Sequence, residues 1–267
     1  MDRVYTVRHP TGFIQCRGCD LNSEIRTDID ECKLRRKYRI RVAIFVLSVG
    51  LALVVLSTGY DAIRTLSNLE TVERERDQWQ RPGDVIQELN LKEGNVVVDL
   101  GSGVGYFALK LGPSVGRSGK VLAVDIQKFP LRVLRVRAVL SAEDNIDTIL
   151  GESDNPHLPP GSVDAVLIAN TYHELTHAGA VLDQLFRSLK PGGRLVIVDR
   201  GPPGGKRETP HAATKHHEIA PELVEGDIRR QGFEVVRRED HFTQQPGEDY
   251  NWWLIVSRKP LPVRDVR

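Results

Sequence analysis

The chain has 267 residues, which is enough for one large domain or for one domain with an appendage. It carries 37 lysine and arginine residues against 36 aspartate and glutamate residues, a net charge of +1. This balance gives no argument for nucleic-acid binding or for steering of an acidic substrate. All three cysteines lie within the first 32 residues, which excludes a disulfide framework in the rest of the chain.

Residues 1–41 are predicted to form a polar, basic tail. Within this tail, Cys16 and Cys19 have the C-x-x-C spacing of zinc ligands, and Cys32 and His9 could complete a set of four. A structural zinc site needs four ligands, and besides the three cysteines only His9 lies nearby in the sequence. A polar tail with free thiols is therefore the preferred interpretation.

Residues 42–60 form an uncharged, apolar run. At about 1.5 Å per helical residue, the run crosses most of a bilayer core of about 30 Å. A buried core helix would usually keep a polar face, so the run predicts a single transmembrane anchor. The alternative is a cleaved signal peptide with translation from a start near Leu34, although no convincing small-x-small cleavage site is present.

Residues 61–81 are predicted to form a helical connector. Ile63, Leu66, Leu69 and Val72 fall on one side of this stretch, among many charged residues. Residues 82 and 83 are Pro and Gly, a natural break, and a short helix follows before the next strand. The main domain is predicted to span residues 82–260, with a short tail at 261–267.

Residues 95–112, NVVVDLGSGVGYFALKLG, read as strand, glycine turn and helix. Three glycines alternate after Asp99, at Gly101, Gly103 and Gly105. Because glycine has no Cβ, a ligand can lie directly against the main chain, and the helix N-terminus offers unpaired N–H groups. A dinucleotide fingerprint would need its third glycine at Tyr106, so the spacing argues against NAD.

This acid followed by GxGxG resembles the first motif of the class I S-adenosylmethionine (SAM) methyltransferases. The resemblance implies an α/β fold: a Rossmann-like, doubly wound, mostly parallel seven-stranded sheet with an antiparallel closing strand, here preceded by one transmembrane or signal helix. It also implies that SAM is the cofactor. The residues of the motif predicted to bind SAM are Asp99, Gly101, Ser102, Gly103 and Gly105.

A second strand, at residues 120–126, follows the glycine turn. Asp125 lies near its end, about 20 residues after the turn, where a carboxylate can accept hydrogen bonds from both ribose hydroxyls. A helix cap is the alternative role for Asp125. Ile126 is also predicted to contact the cofactor. The resemblance further places Asp154 against the adenine amino group, and an Asx turn is an equally good explanation for that residue.

Residues 163–170 are predicted to form a buried strand that ends at the ligand crevice, because ligands of open parallel sheets lie beyond the carboxyl ends of the strands. Asn170 is therefore predicted to bind the cofactor. Tyr172, His173 and Glu174 are predicted to orient an acceptor or to take its proton. Capping of the next helix explains His173 and Glu174 equally well.

The sequence LKPGG at residues 189–193 ends a helix ahead of the strand RLVIVD and is the second strong feature of the resemblance. His211, His216 and His217 lie in or just after a Pro/Gly-rich loop. Their spacing lacks a paired acid or cysteine set, so an acceptor lid is favoured and no metal is predicted. A helix and two closing strands follow, in which Trp252 and Trp253 are predicted to pack against the sheet.

The resemblance covers about residues 79–259 and is closest to small-molecule and type 11 methyltransferases. It implies methyl transfer from SAM to an unidentified small or hydrophobic acceptor, and the predicted membrane attachment favours a lipid, a quinone-like molecule or another hydrophobic acceptor. The alternatives are a non-catalytic SAM-binding module at a membrane surface and, less favoured, an NAD-dependent oxidoreductase. No nucleic-acid partner is expected, and the oligomeric state is left open.

The expected location is a membrane, with a single pass through residues 42–60. The side that the domain faces is left open, because two observations disagree. The basic residues before the apolar run favour a cytoplasmic N-terminus and hence an external domain. The supply of SAM favours the cytoplasm. These basic residues are Arg35, Arg36, Lys37, Arg39 and Arg41.

Overall fold

The computed structural model describes residues 5–9, 12–16, 21–201, 217–248 and 251–262, with side chains from residue 34 onward except at 58–63. Within the chain there are two compact units, Met1–Glu70 and Thr71–Arg267. Cys19, His211 and His216, and the side chains of His9, Cys16 and Cys32, lie outside the described residues. The zinc and lid hypotheses for these residues therefore remain predictions.

The first unit contains a hairpin and most of a long helix. Strand β1 (Tyr5–His9) pairs antiparallel with β2 (Gly12–Cys16), a hairpin that the sequence pattern did not predict. Helix α1 (Leu21–Gln80) follows, and its C-terminal end, from Thr71, belongs to the second unit. Within α1, Leu34–Ser57 is long and apolar enough to cross a membrane, and its residues are all exposed in the described structure. A signal sequence has the same length and composition.

The second unit alternates helices and strands. The helices after α1 are α2 (Pro82–Glu88), α3 (Ala108–Val115), α4 (Lys128–Leu140), α5 (Ala178–Ser188) and α6 (Pro221–Arg230). The strands are β3 (Val96–Leu100), β4 (Lys120–Asp125), β5 (Ile146–Leu150), β6 (Val163–Ala169), β7 (Leu189–Arg200), β8 (Glu234–Gln244) and β9 (Asn251–Arg258). A 3-10 turn, Tyr172–Glu174, follows β6.

These seven strands form one sheet in the order β5-β4-β3-β6-β7-β9-β8. Neighbouring strands from β5 to β7 run parallel, and β9 is antiparallel to both β7 and β8. The predicted doubly wound sheet with an antiparallel closing strand is therefore confirmed. The chain reverses direction across the sheet between β3 and β6, the place where open α/β sheets bind ligands.

The central strands are apolar because both faces of the sheet are covered by helices. Neighbouring residues point to opposite faces, so Val97 belongs to one core cluster and Val98 to the other. Trp252 and Trp253 divide in the same way and are both buried, which confirms their predicted packing role.

Two element boundaries test the predicted breaks. Arg81 takes a left-handed conformation with φ 53°, and the chain restarts as α2 at Pro82, as the predicted break requires. The LKPGG segment differs from its prediction. Helix α5 already ends at Ser188, and residues 189–193 belong to β7, which shifts its register against β6 between Val163 and Ala165.

Candidate functional site

A crevice lies beyond the carboxyl ends of β3, β4 and β6. It contains a cavity of about 350 Å³ and a smaller one of about 210 Å³. Four residues line both cavities: Gly101, Gly103, Asn170 and Thr171. The glycine turn and the segment after β6, which are distant in sequence, therefore share one space at the switch point of the sheet.

The three glycines of the turn have different surroundings. A Cβ at Gly103, where φ is 54°, would meet nothing within 4 Å, so this residue presents bare main chain to the crevice. A Cβ at Gly101 would lie 2.3 Å from the Thr171 side chain. A Cβ at Gly105 would lie 2.2 Å from Leu134 Cδ1 of α4, and Gly105 lines neither cavity. In the structure Gly105 allows close packing of α4 against the turn, and its predicted contact with the cofactor stays a prediction.

The predicted ribose acid, Asp125, holds the turn in place. Its Oδ2 accepts a hydrogen bond from the Gly103 N–H at 2.8 Å, and its Oδ1 accepts one from the Gln127 N–H at 2.8 Å. Each oxygen keeps a further lone pair, and the side chain lines the larger cavity. Asp125 can therefore fix the turn and still accept hydrogen bonds from a ligand.

Three buried polar atoms around the smaller cavity have no hydrogen-bond partner in the described structure: Asp99 Oδ2, Ser102 Oγ and Asn170 Oδ1. Buried polar atoms are nearly always hydrogen-bonded, so such a group indicates a place for a ligand. Asn170 also has φ 55°, a left-handed conformation that is uncommon for a residue other than glycine. A ligand with several polar groups, as SAM has, fits this arrangement.

Burial raises the pKa of Asp99 to about 7, although a hydrogen bond from the Ala108 N–H and the charge of Arg76 oppose the rise. The side chain is only 2% exposed. Burial thus moves the titration of this carboxyl towards neutral pH, and a cationic ligand group beside it would favour the ionised form.

Arg76, near the end of α1, was not predicted to belong to the site. It lines the smaller cavity, and its guanidinium lies 3.9 Å from the centre of the Tyr106 ring. The Tyr106 hydroxyl donates a hydrogen bond to Asp77 at 2.7 Å, which holds this part of α1 beside the glycine turn. The sequence shows Arg76 as one charge among many in the connector, so no local pattern distinguished it.

A paired charge fixes the same helix end. Arg137 of α4 forms a two-pronged, largely buried ion pair with Glu73, with N–O distances of 2.8 and 2.6 Å. The same guanidinium donates a hydrogen bond to the carbonyl of Val104 in the glycine turn at 2.7 Å. The end of α1, the turn and α4 are thus joined around one arginine.

Two further predicted cofactor residues have different positions. Ile126 lines the larger cavity and is 61% exposed, so it offers an apolar surface there. Asp154 is exposed and does not line that cavity, whereas its neighbours Glu152 and Ser153 do. The loop therefore reaches the crevice, but through other residues than the predicted acid.

The three residues predicted to act on an acceptor do not share one environment. Glu174 lines the larger cavity, and its side chain is 53% exposed. Tyr172 is buried in the core, and its hydroxyl lies 3.1 Å from Asp227 Oδ2. The His173 ring is also buried and lies behind Glu174, with Nε2 3.7 Å from Glu174 Oε1.

Asp199, at the end of β7, holds the His173 ring. Its carboxylate is fully buried and accepts hydrogen bonds from the His173 main-chain N–H at 3.0 Å and from Nδ1 at 2.8 Å. Burial alone lowers the pKa of His173, but Asp199 and Glu174 outweigh it and raise that pKa to about 9. The sequence analysis did not single out Asp199, although an acid that closes an apolar strand, as at Asp99 and Asp125, is a signal that could have identified it.

Known proteins share this sequence pattern. The chain is 33% identical over 129 residues to the ubiquinone/menaquinone biosynthesis C-methyltransferase UbiE of Pseudomonas putida strain F1, an alignment that covers 48% of this chain and 50% of that protein. It is 28% identical over 148 residues to the demethylmenaquinone methyltransferase of Lactococcus lactis, covering 55% of this chain and 56% of that protein. The chain spans about half the length of these curated relatives.

Solved structures share the fold. A SAM-dependent methyltransferase from Aquifex aeolicus has a TM-score of 0.56 at 26% identity and covers 66% of this chain and 88% of its own. A Haemonchus contortus phosphoethanolamine N-methyltransferase 2 in complex with SAM has a TM-score of 0.56 at 16% identity, a likeness of fold alone, covering 68% of this chain and 53% of its own. The sequence model of the ubiE/COQ5 methyltransferase family matches residues 41–206, and the chain belongs to that family.

Proposed function

We propose that this protein transfers a methyl group from SAM to a small, hydrophobic acceptor. The observation that carries the proposal is the group of unpartnered buried atoms on Asp99, Ser102 and Asn170, around main chain left open at Gly103. Bound SAM would supply the methyl group from its sulfonium sulfur: the bond between sulfur and methyl would break as the acceptor forms its bond to the methyl carbon, and S-adenosylhomocysteine (SAH) would be the leaving group. The work of the chain is to bind and orient the two molecules.

The two cavities suit different parts of the cofactor. The smaller one combines the Asp99 carboxyl with the Arg76 guanidinium, opposite charges that match the ammonium and carboxylate of an amino acid. The larger one combines Asp125 with the apolar side chain of Ile126, which suits a ribose and an adenine ring. The methyl group would then lie near Gly103 and Asn170, which line both cavities.

Glu174 is the proposed contact to the acceptor. The His173 ring, with Nε2 3.7 Å from Glu174 Oε1, lowers the pKa of Glu174, so its carboxylate is ionised at neutral pH and accepts hydrogen bonds. An acceptor that gains a methyl group on carbon must also lose a proton, and an acceptor hydroxyl bonded to Glu174 would be activated for that loss. Tyr172, bonded within the core, has a structural role in this proposal.

A quinol-like acceptor is the finer proposal. It is supported by the named activities of the relatives and by the apolar segment Leu34–Ser57, which suits a protein whose acceptor dissolves in the bilayer. We propose membrane attachment through residues 42–60 for the same reason. The direct test is transfer of labelled methyl from SAM to reduced demethylmenaquinone in detergent. Labelled product supports the enzyme, whereas SAM binding without transfer to any quinol supports the non-catalytic module.

Replacing Asp125 with Ala is expected to weaken SAH binding without abolishing it, by about 10- to 100-fold, the equivalent of one or two lost hydrogen bonds to a charged group. The variant loses the proposed ribose contact and the clamp on the Gly103 N–H together. Calorimetric titration of wild type and variant with SAH measures the change. Unchanged affinity would return Asp125 to a purely structural role.

Replacing Glu174 with Gln is expected to leave SAH affinity within about twofold and to lower turnover by about 100-fold, the usual size of a lost proton-transfer contribution. The reason is that Gln keeps the shape and the exposure of Glu174 but loses the carboxylate. Steady-state methyl transfer and SAH titration on the same preparation separate the two effects. An unaffected rate of methyl transfer would mean that Glu174 does not act on the acceptor and is only an exposed residue of the turn after β6.

A further inference from the structure

Three side chains beside the crevice direct ligand atoms at one point. His173 Nε2 lies 3.3 Å from His217 Nδ1 and 3.7 Å from Glu174 Oε1, and His217 Nδ1 lies 3.9 Å from the same carboxylate oxygen. Two imidazoles and one carboxylate are a donor set that binds zinc and other divalent transition metals. In the sequence, His217 lies more than 40 residues after the other two, so the cluster forms only in the folded chain.

The spacing agrees with a metal site. Ligand atoms about 2.0–2.1 Å from a tetrahedral zinc ion lie about 3.3 Å from one another. The ring nitrogens His173 Nε2 and His217 Nδ1 already have this separation. Glu174 Oε1 would have to move only about half an ångström closer to each of them. Glu174 and His217 are both about half exposed, so they are able to make this movement.

The buried carboxylate behind the cluster supports the same interpretation. Metal-binding histidines usually donate their second ring N–H to a carboxylate, which fixes the tautomer and the ring orientation. Asp199 accepts this bond from His173 Nδ1 at 2.8 Å and is itself held by the main-chain N–H groups of His173 and Arg200. With Nδ1 bonded to Asp199, Nε2 faces His217 and Glu174, and a metal ion bound there would take the place of the Nε2 proton.

We propose that His173, Glu174 and His217 bind one divalent metal ion of the zinc class. Three protein ligands leave a fourth position open, as in catalytic zinc sites. Because Glu174 also lines the larger cavity, the cluster borders the crevice from which an acceptor would reach this position. The part of the proposal that rests on the proposed function is that the ion holds an acceptor oxygen there, so that Glu174 acts on the acceptor through the ion. Metal binding itself does not depend on methyl transfer.

The test uses the full chain in detergent, with Cys16, Cys19 and Cys32 replaced by Ser so that thiols do not compete. After removal of metal with a chelator, Co²⁺ is added and the visible absorption of the bound ion is followed. Zn²⁺ affinity is then measured by competition. We expect one equivalent to bind, and we expect Glu174→Gln and His217→Ala each to weaken binding by more than about tenfold.

His177→Ala is the matched control, because His177 is exposed on the same segment and is outside the cluster. It should bind Co²⁺ as the parent protein does. SAH titration of every variant reports folding and the cofactor site separately. Absence of binding in the parent, or equal binding in all variants, overturns the metal site even where SAH still binds. Metal binding without SAH binding would instead refute the proposed function.

Discussion

Replacing Asp99 with Asn is expected to abolish SAH binding and to stabilise the ligand-free protein at pH 8. The carboxyl is buried, and its Oδ2 has no hydrogen-bond partner, so its charge is costly until a ligand cation lies beside it. Asn keeps the shape and the acceptor for the Ala108 N–H but removes the charge. The expected gain in unfolding free energy is about 1–4 kcal/mol, the range set by the raised pKa of Asp99 and an unpaired amide.

The pH dependence gives this prediction a definite sign. In the folded protein the pKa of Asp99 is about 7, whereas its ordinary value is 3.8. The folded state therefore binds this proton more tightly than the unfolded state, and the carboxyl lowers stability progressively as the pH rises from about 4 to about 7. Thermal unfolding of wild type and Asp99→Asn should give similar midpoints near pH 4 and the largest difference at pH 8.

The wild type near pH 4 is the internal control, because Asp99 is protonated there in the folded state and only about half ionised in the unfolded state, so its charge costs the fold little. A variant that binds SAH with unchanged affinity would contradict the assignment of Asp99 to the cofactor site. A variant that is less stable than the wild type at pH 8 would contradict the unpaired buried charge. Loss of SAH binding together with a gain in stability would mark Asp99 as a residue that lowers stability in exchange for binding.

Replacing Gly103 with Val is the second prediction, and the expected result is loss of detectable SAH binding in a folded protein. A side chain at this position would meet no protein atom within 4 Å, so it would occupy the crevice itself. The main cost to stability is backbone strain, because φ is 54° and a β-branched residue rarely adopts that angle. This cost is about 1–3 kcal/mol.

Gly161→Val provides the matched control. Gly161 has φ 62° and equally open surroundings, and it lines neither cavity. The two variants should show similar decreases in the midpoint of thermal unfolding, whereas only Gly103→Val should lose SAH binding in calorimetric titration. If both variants bind SAH like the wild type, the cofactor does not lie against the glycine turn.

Much of the fold followed from local patterns. A doubly wound sheet is predicted by the apolar strands that end near Asp99 and Asp125 and by the glycine turn between strand and helix. Each of these patterns lies within a short run of consecutive residues, so it can be recognised without knowing contacts between distant residues. The crevice followed from the same reasoning, since carboxyl ends of parallel strands share one edge. Asn170 could therefore be assigned to the crevice from its place after a buried strand.

The missed features depend on contacts between distant residues. Gly105 has the spacing of a ligand-binding glycine, but Leu134 of α4 occupies the space beside it. Tyr172 has the position of an acceptor contact, but its hydroxyl meets Asp227, 55 residues later. Arg76 reaches the crevice because Asp77 and nearby side chains hold the end of α1. No local periodicity encodes such contacts, so spacing alone could not distinguish packing from binding.

The central claim is that the crevice at the glycine turn binds SAM. The most direct measurement is calorimetric titration of the full chain in detergent with SAH, with NADH as the control ligand. We expect one SAH to bind per chain, NADH to give no heat of binding, and the SAH signal to disappear in Gly103→Val. Absence of SAH binding by the wild type, or binding of NADH in its place, would contradict the account.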